Sequence, residues 1–284
     1  MDEPARRSGR LGVAFRTPTG FLALGVLAAL TAITVLAPTI WGHQASHVDV
    51  AHLLEGSSRK HPLGTDNLGH DILARLLVAT RFSLLLAVLA TLVGAAIGIP
   101  VGAVPTVLGR RAARFANAFI DFSVAFPGVL LAIFTAVILG AGAKAAVLAI
   151  GVSSGPGFAR LTQTLAASVA GSDYIAAART LGVPRRRLLF RHVLPNVAEP
   201  LIMNTTIAIG YALLAVSGLS FLGLGLQPPY YDWGRLLNEG LPRIYVTPWS
   251  ALGPALMIVI AGLAFNGLGE SLARAASTRS SAQV

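Results

Sequence analysis

The feature that most constrains this chain is how far it runs without a charge. Residues 82–109 contain no Asp, Glu, Lys, Arg or His. A bilayer core about 30 Å thick is crossed by about 20 apolar residues, each adding about 1.5 Å of helix rise. A run of this length has lipid as its natural solvent. Composition enters as support: 12% of residues are charged, about half the ~25% of an ordinary soluble domain. The 30 Gly and 16 Pro are compatible with helices in lipid, where neighbouring helices satisfy backbone groups that such residues free. The expected class is an all-α, polytopic membrane protein.

Six stretches are expected to span. They run from Phe21 to about Ile40, from about Ser83 to Val104, between Arg114 and Lys144, from about Gly142 to Arg160, from Pro200 to about Gly218, and from about Ala251 to Leu268. The fourth is the weakest, because Pro156 and its flanking glycines are expected to kink or shorten it. One membrane domain over residues 21–271 then lies between tails 1–20 and 272–284. Six crossings put both tails on one side, and basic residues mark the cytoplasmic side. Arg6, Arg7, Arg10 and Arg16 in the tail share a side with Arg110, Arg111, Arg114, Arg160, Arg179, Arg185, Arg186, Arg187, Arg191, Arg274 and Arg279. The opposite side has Arg59, Lys60, Arg75, Arg81, Lys144, Arg235 and Arg243, offset by acids such as Asp66, Asp71 and Glu239. Both termini are expected in the cytoplasm of a prokaryote, with the chain in its plasma membrane.

Several chemistries fail on residue type alone. The chain has no cysteine, which excludes disulfides, thiolate metal sites and a cysteine nucleophile. Its basic residues are scattered between apolar runs, which argues against a nucleic-acid partner despite the net charge of +10. A phosphate-cradling loop needs a lysine after Gly and before Ser or Thr. The two lysines, Lys60 and Lys144, sit in neither context. Any ATP hydrolysis must come from another polypeptide, and no catalytic residue is assigned here.

The segment Ser172–Pro200 is expected to form two short helices. Ser172 or Asp173 can cap the first, Gly182 supplies the positive φ of the turn, Pro184 opens the second helix and Pro195 ends it. Leu188, Leu189 and Val193 share one face, and Arg185, Arg186, Arg187 and Arg191 the other. On composition alone this knob reads as a basic loop resting on anionic headgroups.

Its spacing resembles the coupling loop of binding-protein-dependent ABC transporter permeases. That pattern is Glu-Ala-Ala, three residues, Gly, nine residues, a hydrophobic residue, any residue, then Leu-Pro. Ala177, Ala178, Gly182, Leu194 and Pro195 match, whereas Ala176 replaces the glutamate and His192 the hydrophobic residue. His61–Asp71, with Gly69, His70 and Asp71 for the usual Gly-Arg-Asp, and Phe221–Leu237, with Pro228, Pro229, Trp233 and Gly234, are similar to segments of the C-type subunits of dipeptide, oligopeptide and nickel permeases. The resemblance implies a non-catalytic half of a translocation pathway for peptides. It implies a second permease subunit, two cytoplasmic ATPases carrying the ATP and Mg, and an external solute-binding protein. Nickel or another small solute is the alternative cargo. An ion-gradient transporter is the alternative class, and it predicts an array of buried ionisable groups.

Other residues carry weaker signals. Asn204, Thr205, Thr206 and Asn266 suit either a polar pathway or hydrogen bonds between helices. Asp121, the one acid well inside an expected span, suggests an ion pair facing the bundle near the cytoplasmic boundary. Gly94, Gly98 and Gly102 form a small-residue stripe for close helix packing. His43 and His47 have i, i+4 spacing, but no further ligand cluster accompanies them and no metal is assigned. The aromatic stretch from Phe221 to Trp233 reads as an interfacial or re-entrant segment, or as a docking face.

Overall fold

The computed structural model describes residues 18–280. The tail arginines Arg6, Arg7, Arg10 and Arg16 lie outside the described residues, as does the side chain of Arg279. The described chain is helical, without a strand. Its helices are α1 Pro18–Ile40, α2 Gly42–Ser46, α3 Ile72–Leu108, α4 Arg110–Ala125, α5 Gly128–Leu139, α6 Ala143–Ala170, α7 Asp173–Thr180, α8 Arg185–Leu188, α9 Leu194–Phe221, α10 Trp233–Gly240 and α11 Trp249–Ser280.

Four of the six expected spans coincide with helices long and apolar enough to cross a membrane, all longer than expected: Pro18–Ile40, Ile72–Leu108, Arg185–Phe221 and Trp249–Ala275. The third is broken. α4 and α5 meet at an 85° bend, where Phe126 is extended at φ −77° and ψ 133°. The cause is Pro127, whose ring disfavours helical backbone at the residue before it. With its 12 residues, α5 extends only about 18 Å. The fourth stretch departs the other way, since α6 is one 28-residue helix straight through Pro156. It meets the length of a span but falls short in apolarity. α11 continues past residue 271, so no break marks the expected start of a C-terminal tail.

The core is built on α3 and α6, the most extensively packed pair. A Cβ at Gly98 would lie 2.4 Å from the Gly155 carbonyl oxygen, and one at Gly102 would lie 2.3 Å from that of Ala159. Gly94 is equally tight against Ser154 and Gly151. The glycine stripe therefore brings two backbones into contact, as expected for small residues at helix crossings in lipid. α9 packs on α3 and on α11, and α1 lies against α11 and α3.

At one end of the bundle, Trp233 is fully buried. Its backbone N–H donates to Ser83 Oγ (2.9 Å) and its indole Nε1–H to the Leu76 carbonyl (3.1 Å). The expectation of an interfacial aromatic belt is corrected at this residue, which pins α10 to α3. A buried indole satisfies its N–H in this way.

Candidate functional site

The knob at the other end is assembled from the residues outward. Ser172 occupies the N-cap position of α7, though its hydroxyl donates back to the Val169 carbonyl (2.6 Å). Gly182 closes α7 at φ +77°. Its N–H donates to the Arg179 carbonyl and the Val183 N–H to that of Ala178, the paired bonds of a glycine-terminated helix end. A Cβ at Gly182 would meet nothing within 4 Å, so the constraint there is conformational and not steric.

α8 then begins after Pro184, as expected. The expectation that Pro195 ends this helix is overturned, because the chain runs helically from Arg185 to Phe221. Residues Leu189–Val193 form one wider π turn, and the Leu194 N–H reaches back to the Leu189 carbonyl. A proline inside an α-helix collides with the carbonyl four residues earlier, and a π turn immediately before it relieves that clash. The second half of the knob is thus the rigid extension of a 37-residue helix.

Ile175, Leu188, Leu189 and Val193 are buried in a small cluster with Ala103 and Val107 of α3 and Ala166 of α6. Burying such side chains contributes about 1.5–3 kcal/mol each. These anchors outweigh the long, exposed contact of Arg179 with the Thr106 carbonyl at 3.5 Å. Ile175, fully buried, was missed in the sequence because it sits alone among alanines. Arg185, Arg186, Arg187 and Arg191 are exposed, as are Ala176 and Ala177, while Ala178 and Leu194 are half-buried and Pro195 exposed. Leu181, at the tip, is 84% exposed. His192 is half-buried beside Tyr174, with ring centroids 6.4 Å apart. The knob therefore shows a basic, alanine-lined outer face with an apolar tip, and is tied by its inner face to the ends of α3 and α6.

The remaining candidates lie elsewhere. Thr205 and Thr206 donate to carbonyls of their own helix, those of Leu201 (2.7 Å) and Ile202 (3.1 Å). Asn204 is half-buried on the same helix, and Asn266 Oδ1 is buried beside Gly210 without a hydrogen-bond partner among the described residues. Asp121 forms the expected ion pair, with Arg160 of α6, but it is exposed instead of facing the bundle. His43 and His47 stack, with ring centroids 5.7 Å apart. Among the described residues, no three His, Cys, Asp or Glu side chains are placed to hold a metal.

At the end opposite the knob, an ionic network joins three elements. Arg75 of α3 donates to Asp66 Oδ2 (2.6 Å) and to Glu239 Oε2 (3.1 Å), and Glu239 also accepts from Arg235 (2.9 Å). Burial alone would raise the Asp66 carboxyl. The Leu68 and His70 backbone N–H groups and the Arg75 guanidinium outweigh it, so Asp66 titrates below the ordinary carboxylate range. Burial does prevail at Asp232, the N-cap of α10, whose carboxyl is pushed up despite bonds from Ser220 Oγ and the Arg235 N–H. The i, i+4 pair Arg235–Glu239 was legible as a spacing. The Arg75–Glu239 pair joins residues far apart in the chain, for which one sequence carries no signal.

Comparison with known proteins agrees with this architecture. Residues 94–280 match the family of binding-protein-dependent transport system inner membrane components. The chain is 36% identical over 255 residues to the glutathione transport system permease protein GsiD of Pectobacterium atrosepticum, covering 88% of this chain and 85% of that one. It is 32% identical over 247 residues to the dipeptide transport system permease protein DppC of Alkalihalophilus pseudofirmus, covering 87% and 81%. Among solved structures, an inward-facing MetNI methionine ABC transporter chain superposes with a TM-score of 0.57 at 21% identity, over 70% of this chain and 95% of that one.

Proposed function

The chain belongs to the family of binding-protein-dependent transport system inner membrane components, and on that premise we propose that it is one of two permease subunits of an ATP-driven peptide importer. Peptide cargo is supported by the relatives named for glutathione and dipeptide transport. The second permease subunit, two ATPases in the cytoplasm and an external solute-binding protein complete the machine. We read six crossings, with α4–α5 as the broken third and α6 as the fourth; the termini and the knob then lie in the cytoplasm, a side supported by the basic residues there.

The observation that carries the reading is the mechanical form of the knob. Its outer face is exposed, its inner face is locked to α3 and α6, and its second helix continues without a break into α9. A push on Leu181 and the exposed arginines is therefore delivered to three long helices at once, which suits rigid-body rocking between outward-open and inward-open states. This chain performs no bond-making step. It orients the pathway and receives work.

Because the chain lacks cysteine, Leu181→Cys introduces a single thiol at the tip. Paired with single-cysteine ATPase variants, it is expected to form a cross-link that varies with nucleotide state. Failure to cross-link to any surface position of the ATPases, in an assembled and active complex, would refute the docking role.

A further inference from the structure

Two cavities lie end to end in the crevice between α3, α4 and α6, and they differ in chemistry. The first, of about 320 Å³, is apolar and lined by residues including Val101, Phe119, Phe126, Pro156 and Ala159. The second, of about 430 Å³, is half polar and lined by residues including Thr106, Asn117, Arg160, Gln163 and Arg179. On each helix the linings adjoin: Val101 leads to Pro105 on α3, Ala159 to Arg160 on α6, and Asn117 to Phe119 on α4. A single crevice thus changes from apolar to basic within about one helical turn, or about 5.4 Å.

The polar end has an excess of positive charge. Arg160 is shared with Asp121, but among the described residues Arg179 meets only a distant backbone carbonyl, and Arg110, Arg111 and Arg114 stand on the adjoining turn of α4. The apolar end opens beside exposed aromatic side chains, with Phe115, Phe119, Phe122 and Phe126 between 53% and 76% exposed. A ligand that satisfies both ends needs an anionic head attached directly to a long hydrocarbon tail.

We propose that this crevice holds one anionic phospholipid, with its phosphate between Arg160 and Arg179 and an acyl chain in the apolar cavity. Charge complementarity favours this occupant over a segment of a partner protein. Because Arg179 belongs to α7 and Arg160 to α6, the phosphate bridges the knob to the bundle, which makes the lipid a brace on the coupling element. The site rests on the proposed orientation, in which this end of the bundle lies at the cytoplasmic headgroup level.

The test is native mass spectrometry of the full chain, purified in detergent and titrated with phosphatidylglycerol or phosphatidylcholine of matched acyl chains. Wild type is expected to retain one phosphatidylglycerol in preference to phosphatidylcholine. Arg160→Gln with Arg179→Gln should reduce that preference roughly thirtyfold, the worth of two basic side chains beside an anionic lipid. Arg179→Gln alone leaves the Asp121–Arg160 pair intact and should give part of the loss. Val101→Phe, at a half-buried lining position, narrows the apolar cavity without changing charge and should weaken retention of either lipid. Equal retention of the two lipids by wild type, unchanged preference in both arginine variants, or displacement by glycerol 3-phosphate as effective as by whole lipid would overturn the proposal. None of these readouts involves transport, so failure here is separable from failure of the permease reading.

Discussion

At the scale of single residues, the turn of the knob depends on one backbone angle. Gly182 is held at φ +77° with open space where a side chain would be, so substitutions there test conformation alone. Left-handed backbone costs an ordinary L-residue about 1–2 kcal/mol, and asparagine tolerates it better than a β-branched residue. Gly182→Val is expected to abolish most ATP-driven uptake at equal membrane levels, while Gly182→Asn keeps most of it. Equal activity of the two variants would count against a shape-dependent turn. Asp66 makes a second single-residue test at the opposite end. Its pKa is lowered in the folded chain, so its contribution to stability is present above the unfolded value of about 3.9 and is lost as pH falls through the folded value. Asp232, with a raised pKa, works in the opposite direction. Thermal unfolding between about pH 5 and about pH 3 should therefore show a smaller acid loss for Asp66→Asn than for wild type, together with lower stability near pH 7.

At the scale of elements, the α3–α6 crossing is the contact most sensitive to side-chain volume. Gly98→Val must displace the Gly155 carbonyl and the Phe158 side chain, and overpacking of this kind typically costs about 1–3 kcal/mol. The variant should melt lower than wild type, whereas Gly157→Ala on the open face of α6 should change little. Much of this level was legible in the sequence. The glycine stripe, the helix–turn–helix about Gly182 and the buried face of Leu188, Leu189 and Val193 all follow from local spacing. Prolines misled the reading in both directions, because their effect depends on what surrounds them. Pro127 breaks a run that looked continuous, since its ring disfavours helical backbone at Phe126, a residue more than half exposed. Pro156 and Pro195 sit inside helices that looked interrupted, the first within the tightly packed α3–α6 pair and the second behind a π turn. Neither context is visible within a few residues of the proline. The same limit applies to the Asp121–Arg160 and Arg75–Glu239 pairs, whose partners come from distant elements.

At the scale of the whole molecule, the two ends of the bundle are built differently. The ionic network of Asp66, Arg75, Glu239 and Arg235, with Trp233 beneath it, makes one end a cross-braced cap. The other end presents the knob, anchored to the same α3 that carries Arg75 and Trp233's acceptor. A helix about 55 Å long, from its 37 residues at about 1.5 Å each, thus links the knob to the cap. On this account work enters at one end and the pathway rearranges at the other, with no energy source on the chain itself. The direct test is peptide uptake into proteoliposomes holding this chain alone, or this chain with its sister permease, ATPases and solute-binding protein, with and without ATP. The account predicts concentrative uptake only in the complete, ATP-supplied assembly; accumulation by this chain alone without nucleotide would contradict it.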